Sequence, residues 1–325
     1  RSFWDWGERQ LAAVEWKAPR DLPSVRAAAC AANMALQVIS KLCWLGLLIY
    51  HGAHALAVGV DPGTIFFAND PLARLGSEAA VNTVVFFMRI GAAGEIVLCL
   101  TVFLMGDTKL SYLGMGIAHF ATASAGPTLV KNLLREDPKA MPQEQANAMN
   151  VALLAAMIVN ILGFLCSSAK NDRTLQRSKS WVANFLLVAT IMFETVVYSL
   201  LLMDHELSFK LAFPELDLSP LSVTARGVLS IVLLSGSANM IAATLLLLVL
   251  KPTRAATTLA ALLHALIGLN CLFGAAQFKG ADDKMSKVLF EAIDPSKFIH
   301  AACFGLLVIA TAFGAAPPTL KTKTA

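Results

Sequence analysis

The amino-acid sequence predicts an all-α polytopic membrane protein of about eight transmembrane helices, and three observations carry that prediction. Hydrophobic residues fill 57% of the 325 positions and charged residues only 15%, with a mean hydropathy of +0.64. Soluble domains sit near 45–50% apolar and about 25% charged. The apolar residues also gather in blocks of about twenty, the length a helix needs to cross about 30 Å of hydrocarbon. Finally, the blocks do not alternate and exceed the ~9–11 residues of a spanning strand, which argues against a barrel.

The expected spans run approximately over 39–59, 81–105, 110–130, 149–169, 181–203, 226–250, 256–277 and 298–315. Residues 1–38 precede them as an interfacial or extramembrane segment, and 317–325 form a basic tail after Pro317-Pro318. Within the first segment, Trp4, Trp6 and Trp16 stand among charges. Tryptophan favours the headgroup region, so this stretch reads either as an interfacial helix or as a tail packed on a neighbouring subunit. The chain starts at Arg1, which leaves open a removed targeting segment or a missing N-terminus.

Loop charge sets the expected topology. With the N-terminus on one side, that side collects fifteen Lys and Arg against six acids, and the other collects ten against fourteen. The positive side therefore faces the cytoplasm-equivalent compartment, with both termini on it. In an organelle this is the matrix or stroma, so a thylakoid or mitochondrial inner membrane is expected.

Composition excludes other classes. A net charge of +4, thinly spread, gives no footprint for nucleic acid. Cys30, Cys43, Cys99, Cys166, Cys271 and Cys303 show no C-x-x-C spacing, and most lie in apolar blocks, so they read as packing residues. No dinucleotide fingerprint, phosphate loop or H-E-x-x-H is present, and the acid pairs Glu136-Asp137 and Asp282-Asp283 read as solvated loop charges.

The spans fall into two sets of four, 39–170 and 171–316. In each set a long acidic loop follows the first span, a short basic turn the second and a charged loop the third. GMGIAHFATASAG at 114–126 lies over LAALLHALIGLNC at 259–271, which superposes His119 on His264. In the preceding spans, Glu95 then meets Asn239. An even number of spans per repeat gives both the same orientation, so two parallel repeats about an axis along the membrane normal are expected.

The first repeat resembles the DoxX-like family of four-helix membrane proteins. The likeness rests on Tyr50-His51-Gly52, on FFANDPLARLG at 66–76, on Gly94-Glu95 and on FLMG at 103–106. LLLLVLKPTRAA at 245–256 is a weaker echo in the second repeat, where Asn239 stands in place of the glutamate. The resemblance implies an accessory subunit associated with a membrane redox enzyme, by analogy of fold rather than of site.

Ionisable groups in hydrocarbon cost about 2.5–3.5 kcal/mol each on insertion scales, so each needs a partner or a use. Glu95 and His119 both fall near mid-span on consecutive helices joined by a tight turn, and are expected to meet; Asn239 and His264 are expected to repeat the arrangement. His51, His54 and Arg89 lie nearer one face, and Glu194 is a further buried acid. Arg89 is 240° around the helix from Glu95, since six residues turn 600°, and is expected to face the first helix or another subunit. These groups are open to three uses. They can be interhelical hydrogen bonds, worth about 0.6 kcal/mol on average. His119 and His264 can be axial ligands of a chlorophyll or other macrocycle, aided by the small residues around His119. Glu95, Glu194 and the histidines can form a proton or substrate path.

Two functions follow as expectations. The first is a non-catalytic accessory subunit of a large energy-converting complex, photosynthetic or respiratory with the membrane histidines favouring the former, touching lipid and other membrane subunits through its Trp-rich end and through loop aromatics Phe66, Phe67, Phe209 and Phe213. The second is a small-solute or proton-linked transporter, or a quinone-linked redox protein, using the mid-span Glu and His. Gly126-Pro127, placed near a helix end, is read against the broken helices that transporters use.

Overall fold

The computed structural model describes residues 23–62, 70–167, 180–204, 207, 210, 215, 217–250 and 253–314. The segment bearing Trp4, Trp6 and Trp16, the loop aromatics Phe66, Phe67, Phe209 and Phe213, and the tail after Pro317-Pro318 lie outside these residues. The described residues form helices α1 (Pro23–Val60), α2 (Pro71–Leu75), α3 (Glu78–Met105), α4 (Lys109–Glu136), α5 (Gln143–Cys166), α6 (Trp181–Met203), α7 (Val223–Leu250), α8 (Arg254–Phe278) and α9 (Lys284–Phe313).

Local chemistry starts these helices. Ser77, Thr108, Ser180, Thr253 and Asp283 are N-caps whose side-chain oxygens accept the backbone N–H three residues on, at 2.8–3.3 Å. Each such cap is worth about 1 kcal/mol. The turn between α3 and α4 closes on Gly106 at φ +74°, a left-handed conformation that favours glycine.

Seven of these helices are long and apolar enough to cross a bilayer, which fits an integral membrane protein. The other long helix, α4, carries Ser111, Gly114, Gly116, Thr122, Ser124, Gly126 and Pro127, and its small and polar residues lower its hydropathy. It is seated between α5 and α7, so Ser111, Gly114, Thr122 and Gly126 face protein, while Ser124 is exposed and returns its hydroxyl to the Ala121 carbonyl.

The elements also extend past the expected spans. Helix α9 begins at Lys284, inside the stretch read as a loop, and runs through Pro295. Proline removes the backbone donor to the Glu291 carbonyl there, and the neighbouring Ser296 Oγ donates to the Ala292 carbonyl at 2.9 Å. Pro127 likewise lies inside α4, which continues to Glu136. Gly126-Pro127, read as lying near a helix end, is thus followed by nine more helical residues.

Helices α3 and α7 are the centre: 72% and 78% of their apolar windows are buried, against 17% for α1 and α9. They cross where Gly91 meets Gly236, so closely that a Cβ on Gly91 would stand 2.9 Å from the Gly236 Cα. Around this crossing α1 packs on α3 and α5, and α4 on α5; α6 packs on α7 and α9, and α8 on α9. Helix α4 lies against α7, and α8 against α3. By contrast α3 and α4 touch little beyond their shared turn, because α4 turns away to meet α7. The outer helices present Leu42, Ile49, Leu56, Phe298 and Ile309 outward, the pattern of a lipid-facing surface.

Candidate functional site

Two clusters of buried carboxylate and imidazole lie in the bundle. In the first, α3 supplies Glu95, which is 3% exposed. Its Oε1 is 2.6 Å from His51 Nδ1 and its Oε2 is 2.7 Å from His54 Nδ1, both on α1. The i, i+3 spacing puts both imidazoles on one face of α1, so one carboxylate accepts from both. With Glu95 ionised, both Nδ1 atoms donate, and His51 Nε2 is left as an acceptor. His119 Nε2 on α4 stands 2.7 Å from it and donates. His119 Nδ1 then carries the free lone pair, buried and without a hydrogen-bond partner. Glu95 and His119 are therefore joined through His51 rather than directly.

This cluster forms one wall of a cavity of about 360 Å³. Tyr50, His51, His54, Glu95, His119, Thr122 and Asn239 bring polar groups to it. Ala148, Met149, Ala152 and Leu153 of α5, and Ile231, Val232 and Leu234 of α7, make the rest predominantly apolar. Such a site, apolar with a few convergent polar groups, is the usual build of a small-molecule pocket. Gly126, just before Pro127, also lines it. Pro127 cannot donate to the Ala123 carbonyl, so α4 is locally loosened beside the cavity.

The second cluster joins α6, α8 and α9. Glu194 is 2% exposed and His264 1%. Glu194 Oε1 lies 3.4 Å from His264 Nδ1 and 3.4 Å from His300 Nδ1, and the two Nδ1 atoms are 3.1 Å apart. His300 was not singled out in the sequence. Its signal was there: it is the histidine inside the last apolar block, as His119 and His264 are in theirs.

The predicted residues therefore divide differently from the expectation. His264 joins Glu194 and His300, while Asn239 lines the first cavity beside Glu95. The cause is the crossing of α3 and α7, which turns Asn239 toward the other half of the chain. Arg89, half-buried, lines a separate groove with Ala55 and Val60 of α1 and Leu266 and Phe273 of α8. For macrocycle ligation, His119 offers its Nδ1 alone, because Nε2 is engaged by His51.

The fold and these clusters define a helical membrane protein with buried carboxylate–imidazole sites. Comparison with protein-family models, with characterised proteins and with solved structures returns no match.

Proposed function

We propose that this chain is an integral-membrane subunit that holds a small amphipathic molecule with a quinone-type head in the first cavity and moves a proton on or off that head. The observation that carries this is the Glu95–His51–His119 chain on one wall of a largely apolar cavity. A proton leaving a ligand hydroxyl enters at His119 Nδ1. His119 passes its Nε2 proton to His51 Nε2, and His51 passes its Nδ1 proton to Glu95. Each transfer runs along a contact of 2.6–2.7 Å, within hydrogen-bond reach for proton exchange. His54 holds the other carboxylate oxygen and keeps Glu95 oriented. Asn239 and Thr122 offer further hydrogen bonds to oxygen atoms of the head.

Tyr50, His51 and Glu95, which build this site, also belong to the segments that resemble the DoxX-like family. That supports an accessory role in an energy-converting membrane assembly, with electrons exchanged by a partner subunit. The charge bias supports both termini on the positive face. We also infer a tandem duplication of four-helix units. Gly91 and Gly236 touch, and their offset of 145 is that of His119 and His264 and one residue from the 144 that lays Glu95 over Asn239. Contact between nearly equivalent residues is what a near two-fold axis produces.

The test is equilibrium binding of a short-tailed benzoquinol to the full chain in lipid nanodiscs, with release or uptake of protons followed by a pH dye. Saturable binding with proton exchange is expected, and His119→Gln should lower affinity at least tenfold. Equal binding in wild type and a His119→Gln/Glu95→Gln double variant overturns the reading. A second reading, a proton-linked carrier, is favoured by Gly126-Pro127 beside the cavity. Solute-driven proton movement in liposomes without quinol binding selects it.

A further inference from the structure

We propose that Glu194, His264 and His300 bind one divalent first-row transition-metal ion, a site separate from the cavity and independent of its reading. The ligand atoms belong to α6, α8 and α9 and are brought together by packing, since 70 positions separate the first from the second. All three residues are buried, at 2%, 1% and 7% exposure.

The Glu194 distances point to a shared ion rather than to carboxylate–imidazole hydrogen bonds; without an ion the two imidazole Nδ1 atoms hydrogen-bond each other. Where a carboxylate accepts from imidazole in this same bundle, at Glu95, the separations are 2.6 and 2.7 Å. Glu194 Oε1 instead stands 3.4 Å from each imidazole nitrogen, and it makes no hydrogen bond among the described residues. With the two nitrogens 3.1 Å apart, the three atoms form a nearly equilateral triangle. A point about 2.1 Å from all three exists just outside its plane, with ligand–metal–ligand angles of about 95–108°. That length suits imidazole and carboxylate on zinc or its neighbours, and those angles lie between octahedral and tetrahedral.

The donor set narrows the ion. Two imidazoles select zinc, cobalt, nickel, copper or iron over magnesium and calcium. One carboxylate offsets half of the ion's charge in a buried site. Three protein ligands leave at least one position for water or another small ligand. His264 Nε2 has no acceptor among the described residues, so the ring lacks the outer support that typically adds 10–100-fold in affinity. The site is expected to bind more weakly than a fully supported three-ligand zinc site. Its evident role is a clamp joining α6 to α8 and α9.

The test uses the full chain in nanodiscs, stripped with a chelator and titrated with Co²⁺ and then Zn²⁺. Expected are one ion per chain by elemental analysis, a cobalt visible spectrum that zinc displaces, and a rise in unfolding temperature on loading. Glu194→Gln and His300→Gln should each weaken Co²⁺ binding at least tenfold, while His51→Gln leaves it unchanged. Circular dichroism and gel-filtration profiles matching the wild type show that the variants fold; should Glu194→Gln fail this, His300→Gln decides. Stoichiometry well below one, or unchanged cobalt binding in a folded His264→Gln/His300→Gln variant, overturns the proposal.

Discussion

Glu95 and Glu194 are the same residue type at similar depth in one bundle, yet their surroundings differ. Glu95 is fully engaged: two imidazole N–H groups reach its two oxygens. Glu194 Oε1 faces two imidazole nitrogens at 3.4 Å and hydrogen-bonds neither. The difference shows that a buried acid near histidines is not one kind of site. A difference of 2.6–2.7 Å against 3.4 Å separates a hydrogen-bonded relay from a convergence of ligand atoms.

The largest expected effect tests this contrast directly. Glu95→Leu strands the buried His51 N–H and the half-buried His54 N–H and should cost about 3 kcal/mol, as removing one partner of a buried pair does. Folded yield in the membrane should fall sharply, and Glu95→Gln should recover part of it by accepting one N–H. Glu194→Leu in metal-free medium should be tolerated better, because it breaks no hydrogen bond. Equal loss for the two leucine variants would erase the distinction.

The next effect separates the clusters in space. Gly91→Ala places a methyl 2.9 Å from the Gly236 backbone and should destabilise by about 1–3 kcal/mol. Thermal unfolding in detergent measures it. Because Gly91 is on α3, one turn from Glu95, quinol binding should weaken while Co²⁺ binding at α6, α8 and α9 holds. Loss of both would show that the crossing supports the whole bundle evenly.

Smaller again are two interhelical amides. Asn160 Nδ2 on α5 donates to the Tyr112 carbonyl of α4 at 2.9 Å, and Asn270 Nδ2 on α8 donates to the Phe86 carbonyl of α3 at 3.0 Å. Alanine at either should cost about 0.6 kcal/mol, the average for such bonds in a membrane. Asn160→Ala should perturb the first site more, and Asn270→Ala the second.

The smallest effect lies outside the membrane. Thr224 donates to the carboxylate of Asp137, linking the end of α4 to the start of α7. That hydrogen bond, with one from the Lys139 backbone, holds the Asp137 carboxyl below its ordinary value of 3.8. A lowered carboxyl contributes stability above the ordinary value and loses it as pH falls through the lowered one. The slight stability difference between wild type and Thr224→Val should therefore be present near neutral pH and vanish in strong acid. Neither cluster's ligand binding should respond.

Much of the architecture was legible in the sequence because apolar blocks and span length are local properties. The burial of Glu95, His119, Glu194 and His264 followed from the cost of charge in hydrocarbon. Their grouping did not follow, because it depends on which distant helices pack. Asn239 was paired with His264 by counting along the chain, whereas the α3–α7 crossing delivers it to the Glu95 cavity. His300 escaped although it lies within the expected span 298–315, because the two-repeat alignment matched only the second and third spans and drew attention to His119 and His264. Pro127 was read as lying near a helix end and Pro295 fell in the stretch read as a charged loop, and here the helices continue through both.

The meeting of Gly91 with Gly236 also bears on how freely the two halves can vary. Two identical four-helix chains meeting at one glycine would suffer any added side chain twice, at the same point. Were this chain the fused pair proposed above, the two glycines would be separate codons, and a methyl on one would meet the other's backbone at 2.9 Å only once. Self-complementarity would then no longer be demanded, and residues near the crossing, Glu95 and Asn239 among them, would be free to differ.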